Sequence, residues 1–131
     1  MVNVVRIEHN ETGFGIYNSL DDNGIRHFKK IGRLTYKSIT YKANKFPNPL
    51  NDIKILRLPE KSELCAFKSR EDLLNLFSKY ELRKLNKVGF EVFELSLKRA
   101  IIGNDQILFT NNDIISKQNV TKHIINQIKK L

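Results

Sequence analysis

The sequence predicts a small α+β fold with a mostly antiparallel, twisted sheet, one central helix and a C-terminal amphipathic helix. Short apolar runs of twofold period predict the strands, a capped run of helical period predicts the central helix, and a second such run closes the chain. The length of 131 residues fits a single domain, 1–131. Because 40% of the residues are hydrophobic and 28% are charged, the composition is globular and not disordered.

The N-terminal part predicts one strand and two turns. Residues 2–8 alternate, with Val5 and Ile7 on one face of the strand. The segments 9–13 and 21–24 are rich in Asn, Asp and Gly, which favours turns.

The middle of the chain predicts short extended pieces. Residues 26–46 show no helical period, and we interpret them as a basic, partly extended segment. Pro47 and Pro49 interrupt regular structure. Two apolar runs, 53–58 and 64–67, then predict short strands.

The central helix is predicted to begin at Ser69, which stands at capping-box spacing before Asp72. The helical spacing continues to Gly89, a natural C-terminal stop. Its apolar positions are Leu73, Leu76, Phe77, Tyr80, Leu82, Leu85 and Val88.

The last third of the chain predicts a hairpin and a terminal helix. Residues 90–97 form the clearest strand, 103–105 have hairpin-turn chemistry, and 106–109 should return antiparallel. A short capped turn is predicted at 111–115, and a helix at 121–131. The apolar stripe of that helix consists of Val120, Ile124, Ile128 and Leu131.

The cysteine and histidine content excludes several kinds of site. Cys65 is the single cysteine, so no intrachain disulfide or thiolate metal cluster is predicted, and we interpret it as a structural thiol. His9, His27 and His123 lack metal-ligand spacing. With neither a signal peptide nor an apolar run of about 20 residues, the expected location is the bacterial host cytosol, with no membrane contact.

The positive charge is concentrated in the middle of the chain. Residues 26–61 hold ten basic and two acidic residues, which is +8 of the formal net charge of +9. Aromatic residues alternate with these cations, as in surfaces that bind single-stranded nucleic acid; the alternative is a solvated face whose aromatics lie in the core. We therefore predict that the partner is a nucleic acid or an acidic host protein. The sequence leaves open whether the protein also forms a homo-oligomer. The predicted binding residues are Arg26, Lys29, Lys30, Arg33, Lys37, Lys42 and Lys45.

A second candidate site lies at the end of the first strand. Arg6, Glu8 and His9 precede the pair Gly13-x-Gly15, and polar residues beside a glycine turn often bind ligands. The alternative is an exposed strand with a turn. The glycine pair is not a dinucleotide fingerprint, because the third glycine and the following helix are missing.

Five short segments of the chain form a recognisable pattern. They are Arg6-Ile7-Glu8-His9, Thr12-Gly13-x-Gly15-x-Tyr17, Cys65-Ala66-Phe67-x-Ser69-x-x-Asp72-Leu73-x-x-x-Phe77, Gly89-Phe90-x-Val92-Phe93 and Gln106-x-x-Phe109. This pattern resembles a group of small uncharacterised phage and prophage proteins. That group usually has a histidine before its Pro-x-Pro, where this chain has Phe46, so the resemblance implies no catalytic role for that loop here. The resemblance implies a phage or mobile-element accessory protein. Our leading hypothesis is that it is non-enzymatic and that it counters a host defence system by binding an anionic partner.

The predicted order of elements is also similar to that of small ADP-ribosyltransferase domains. This similarity implies that Arg6 or His9 would hold NAD, ADP-ribose or a related nucleotide, and that Tyr17 would stack on the nicotinamide. Gln106 would occupy the place of the catalytic glutamate, where a glutamine weakens or abolishes transfer. The alternative hypothesis is therefore an ADP-ribosyltransferase-like domain; otherwise no cofactor is predicted.

Overall fold

The computed structural model describes residues 1–10, 63–104 and 107–129, and these ranges confirm the predicted α+β class. The elements predicted between residues 11 and 62 lie outside the described residues. Within the described ranges a 3-10 turn covers Asn111–Asp113. The strands and helices there are β1 (Val2–His9), β2 (Glu63–Ala66), α1 (Arg70–Leu76), α2 (Lys79–Lys87), β3 (Phe90–Leu97), β4 (Ile101–Ile102), β5 (Ile107–Thr110), β6 (Ile114–Asn119) and α3 (Thr121–Lys129).

The strands form two antiparallel sheets, which we name sheet A (β1-β3-β6) and sheet B (β2-β5-β4). In sheet A, β1 and β3 pair over their whole length, from Val2 opposite Leu97 to His9 opposite Phe90. Directly after β2, Phe67 exchanges two backbone hydrogen bonds of 2.9 and 2.8 Å with Val5. This bridge joins the end of β2 to the edge of β1 that faces away from β3.

Sheet A is covered on both faces, because successive side chains of a strand point to opposite sides. On one face, Val5, Ile7 and Val92 belong to a core cluster with the buried residues of the helices, such as Leu73 and Ile124. On the other face, a second cluster includes Val4, Leu95, Leu97, Ile107 and Phe109. The predicted alternation of β1 is therefore confirmed, and both of its faces are buried.

The predicted continuous helix is wrong, because the chain breaks between α1 and α2. Phe77 is extended and buries its ring at 1% exposure. Ser78 then caps α2 in a capping box with Glu81, whose carboxylate accepts the Ser78 N–H at 3.0 Å. The Ser69 cap of α1 is confirmed by its 3.2 Å hydrogen bond from the Asp72 N–H.

Gly89 ends the helical region, as predicted, and adopts a φ of +99°. A Cβ atom at this position would lie 2.7 Å from Nε2 of His9. Glycine is therefore needed both for the backbone conformation and for the close packing of β1 against the turn.

After β3 the predicted antiparallel return is confirmed in β5, but β5 pairs with β2 and with the short strand β4, which was not predicted, and not with β3. The 3-10 turn also falls in the predicted place, with the Asp113 carboxylate accepting the Thr110 N–H at 3.0 Å. Strand β6 was not predicted. It is an edge strand of Ile, Ser, Lys, Gln and Asn with five of its six residues exposed, so it lacks the apolar alternation of a buried strand.

The terminal helix is confirmed as α3, while residues 130–131 lie outside the described part. Ile124 is buried, and the hydroxyl of Thr121 accepts the Val92 N–H at 2.9 Å. Among the helices of the described ranges, none combines the length and the apolar character needed to cross a bilayer.

Candidate nucleic-acid interface

The predicted basic segment lies outside the described residues, so a candidate site has to be built from the rest of the chain. Outside that segment, the densest group of cations is carried by α2, whose nine residues are Lys-Tyr-Glu-Leu-Arg-Lys-Leu-Asn-Lys. Its apolar residues Leu82 and Leu85 are 3% and 1% exposed and fix which side of the helix faces the core.

The remaining side chains of α2 form one basic face. At 3.6 residues per turn, Lys79, Arg83 and Lys87 follow one another at intervals of four and form a row along the helix. Tyr80 and Lys84 form the adjacent row. All five lie within an arc of about 140°, which we name the α2 basic face.

Tyr80 is the aromatic centre of the α2 basic face. Its side chain is 61% exposed, although the sequence pattern had placed it in the apolar stripe of a helix. The ammonium of Lys84 lies 5.4 Å from the centroid of the ring, at cation-π distance. The ring thus presents its surface to solvent next to a positive charge.

The cations of this face are not neutralised by nearby acids. None of the ion pairs formed within the described ranges involves Lys79, Arg83, Lys84 or Lys87. The single carboxylate of α2 belongs to Glu81, which is 5% exposed and hydrogen-bonded at the helix start. Lys84 and Lys87 also stabilise the last turn of α2 through the helix dipole.

Sequence reasoning missed this face because it treated residues 69–88 as one helix with a single apolar stripe. A readable signal was present. The spacing of Tyr80, Arg83, Lys84 and Lys87 places these residues on the side of a helix opposite Leu82 and Leu85, with Lys79 at the border of that side.

The candidate residues of the first strand are buried and engaged within the protein. Arg6 is 4% exposed; its Nε donates to Glu8 at 3.0 Å and its Nη1 donates to the carbonyl of Cys65 at 2.5 Å. The second carboxylate oxygen of Glu8 pairs with the ammonium of Lys117 on β6. This ion cluster ties together β1, β2 and β6.

His9 is also buried, at 3% exposure. Its Nε2 lies 2.9 Å from the carbonyl oxygen of Val88, and its ring packs edge-on against Phe90 at 5.1 Å. The other two residues of the nucleotide hypothesis, Tyr17 and Gln106, lie outside the described residues. Their assignment stays a prediction.

Cys65 holds its proton at neutral pH. Burial raises the pKa of its thiol from the ordinary value of 9.0 to about 11, while the nearby charge of Arg6 acts in the opposite direction. Such a thiol is a poor nucleophile. Within residues 1–10, 63–104 and 107–129, no group of three His, Cys, Asp or Glu side chains is arranged to hold a metal ion.

Comparison with known proteins identifies the family. No curated protein and no solved structure matches the chain. A family model described as bacteriophage T4 Y00F protein matches residues 1–122. The predicted relation to phage proteins is thereby confirmed, whereas the similarity to ADP-ribosyltransferases stays a prediction. Since the match spans most of its length, the chain belongs to the bacteriophage T4 Y00F protein family.

Proposed function

We propose that this phage protein is a non-enzymatic accessory protein that binds single-stranded nucleic acid through the α2 basic face. The observation that supports the proposal is the arrangement of four unneutralised cations around the exposed ring of Tyr80. Phosphate groups and unpaired bases are the chemical partners of such a surface.

The row of Lys79, Arg83 and Lys87 supplies the phosphate contacts. Four residues of helix advance by about 6 Å, so successive cations of the row are about 6 Å apart along the axis. An extended single strand places its phosphates at comparable intervals. Arg83 adds a planar guanidinium that binds two phosphate oxygens at once.

Tyr80 favours a single strand over a duplex. A ring exposed beside cations stacks on a base only if that base is unpaired and turned outward. Base–aromatic stacking contributes about 1–3 kcal/mol per base and tolerates any sequence. The proposed binding is therefore weakly sequence-specific.

The predicted segment from Arg26 to Lys45 adds to this proposal through its charge. Its seven binding residues raise the positive potential that attracts a polyanion, wherever they lie. An acidic host protein would respond to the same field, but it would not require a stacking ring. A role against a host defence system stays a prediction.

Variants of Tyr80 test the proposal directly. Fluorescence anisotropy with a labelled oligothymidylate should show that Tyr80→Ala weakens binding about 5- to 150-fold, which corresponds to the loss of one stacked base. Tyr80→Phe keeps the ring and should bind as the wild type does.

Ile115→Ala provides a matched control, because Ile115 is a 53% exposed side chain on β6, outside the α2 basic face. It should not change the affinity. Equal affinities of the wild type and Tyr80→Ala would contradict the proposal. If the wild type binds no oligonucleotide but captures an acidic protein, the partner is an acidic host protein and the nucleic-acid proposal is wrong.

A further inference from the structure

A polar cleft of about 410 Å³ opens on sheet A, at the end of β1 opposite to His9. It lies on the same face of the sheet as the helix-covered core, since Val5 and Glu94 are opposite each other in the register. Its volume falls within the roughly 300–1,000 Å³ of small-molecule sites. None of the residues of the α2 basic face lines it.

The floor of the cleft consists of two rows of residues that cross the sheet, polar except for Val5 at the β1 end of the second row. Asn3, Ser96 and Ser116 are register partners in one row, and Glu94 and Gln118 are partners in the next. Strands lie about 4.8 Å apart and alternate residues about 6.6 Å apart, so the floor measures about 10 by 7 Å. It presents hydroxyl, amide and carboxylate groups side by side.

This floor is partly ordered by its own hydrogen bonds. The hydroxyl of Ser96 donates to Oδ1 of Asn3 at 2.9 Å, which leaves the lone pairs of the serine oxygen as acceptors. Among the described residues, neither Ser116 nor Gln118 has a side-chain hydrogen bond to the protein. Their polar groups are therefore open to a ligand.

The wall of the cleft carries two cations, Lys68 and Arg70. Arg70 is held in place, because its Nε donates to Glu94 and its Nη1 donates to Nδ1 of His123 at 2.9 Å. Lys68 forms no ion pair with the described residues and is half-buried. One cation paired with Glu94 and one cation without an ion pair to the described residues thus line a cleft whose floor carries hydroxyl, amide and carboxylate groups.

We propose that this cleft binds a phosphorylated sugar. Hydroxyls and amides in a plane match the donors and acceptors of sugar hydroxyl groups, and Glu94 accepts from a pair of hydroxyls. Lys68 and Arg70 bind the phosphate with charge-assisted hydrogen bonds. The ligand is either a free sugar phosphate or a nucleotide, which share this chemistry.

Isothermal titration calorimetry with ribose 5-phosphate, AMP and inorganic phosphate tests the proposal. Ribose 5-phosphate should bind at least tenfold more tightly than inorganic phosphate, because the floor contributes only when a sugar is present. Comparable affinities for ribose 5-phosphate and AMP assign the site to sugar phosphates, and tighter binding of AMP assigns it to nucleotides. Equal affinities for ribose 5-phosphate and phosphate, or no binding of either organic ligand, would overturn the proposal.

Two variants distinguish the contribution of the wall to ligand binding from the contribution of the floor. Lys68→Gln should lower the affinity for ribose 5-phosphate about tenfold. Gln118→Ala should lower the affinity for ribose 5-phosphate but not the affinity for inorganic phosphate. Lys122→Gln removes an exposed cation of α3 that does not line the cleft and should have no effect. If Lys122→Gln weakens binding as much as Lys68→Gln does, the contact is nonspecific and the proposal fails.

The outcome is independent of the nucleic-acid proposal. Tyr80→Ala should leave the affinity for ribose 5-phosphate unchanged, and Gln118→Ala should leave the affinity for oligothymidylate unchanged. If oligothymidylate binding is lost in Gln118→Ala, the cleft is part of the surface that binds the oligonucleotide and is not a separate site.

Discussion

An ion cluster of the buried Arg6 and Glu8 with the 40% exposed side chain of Lys117 connects three strands that are far apart in sequence. Arg6 and Glu8 are two residues apart and therefore on the same face of β1, where their opposite charges neutralise each other. The guanidinium also reaches the carbonyl of Cys65 on β2, and Lys117 approaches from β6. The polar side of β1 can be buried because each of its charges has a partner.

Removing one member of this cluster should be costly. Arg6→Met leaves the Glu8 carboxylate buried without its main partner, so we expect a loss of about 3 kcal/mol in the free energy of unfolding. The double variant Arg6→Met/Glu8→Leu removes both charges and should recover most of the loss. Urea denaturation monitored by circular dichroism measures both.

The control for this experiment is Arg99→Met. Arg99 is 82% exposed at its side chain, with Asp113 at 4.0 Å, and its loss should change the stability by less than about 0.5 kcal/mol. A cost of Arg6→Met as small as that of Arg99→Met would show that the cluster does not stabilise the fold.

The thiol of Cys65 should react slowly with alkylating reagents. Its pKa of about 11, against an ordinary 9.0, lowers the thiolate population about a hundredfold at pH 8. The greater nucleophilicity of a more basic thiolate recovers about tenfold, which leaves a rate about tenfold below that of a free cysteine. Iodoacetamide labelling followed by mass spectrometry measures the rate, and the urea-unfolded protein is the control. A native rate equal to the unfolded rate would contradict the raised pKa.

At the scale of elements, the break between α1 and α2 decides which residues face solvent. A continuous helix would place Tyr80 in the stripe of Phe77 and Leu73. The new start at Ser78 instead lets α2 bury Glu81, Leu82 and Leu85 and expose Tyr80. The capping box therefore creates the α2 basic face.

Ser78→Ala distinguishes the two arrangements. Alanine has the higher helix propensity, so it would stabilise a continuous helix. Because Ser78 is an N-cap, the variant should instead lose about 1 kcal/mol in the free energy of unfolding. Ser69→Ala, which removes the N-cap of α1, should have a similar cost in the same urea titration. A gain in stability for Ser78→Ala would contradict the break.

The strong local patterns were predictable from the sequence. The run 90–97, the Ser69 cap, the Gly89 stop and the terminal helix each depend on a few neighbouring residues. Strand β6 was not predictable in this way, because an exposed edge strand has little apolar alternation. The break at Ser78 was missed although the Ser-x-x-Glu spacing that signals it is present.

The candidate sites were less predictable than the elements. The α2 basic face consists of residues close together in sequence. It could therefore have been predicted from their helical spacing once the start of the helix was known. The floor of the polar cleft brings together Asn3, Ser96 and Ser116, whose proximity depends on strand register across more than a hundred residues. The burial of Arg6 likewise depends on a partner from β2, and that of Glu8 on a partner from β6.

At the scale of the whole molecule, the net charge of +9 favours association with polyanions. Charge alone does not distinguish a defined surface from a diffuse field. The interface proposed on α2 adds an exposed aromatic ring and a row of cations, and so assigns part of the proposed binding to one helix. A contribution of the residues from Arg26 to Lys45 to nucleic-acid binding stays a prediction. The triple variant Lys29→Gln/Lys30→Gln/Arg33→Gln would test it by fluorescence anisotropy with oligothymidylate.

The salt dependence of oligothymidylate binding tests the central claim most directly. The triple variant Lys79→Gln/Arg83→Gln/Lys87→Gln should make the slope of log K against log salt less steep by about 2.1, because each lost phosphate contact on a single strand contributes about 0.7. Lys98→Gln/Arg99→Gln/Lys122→Gln removes the same charge from exposed positions outside α2 and should leave the slope nearly unchanged. Equal changes of slope in the two triple variants would contradict a defined interface on α2.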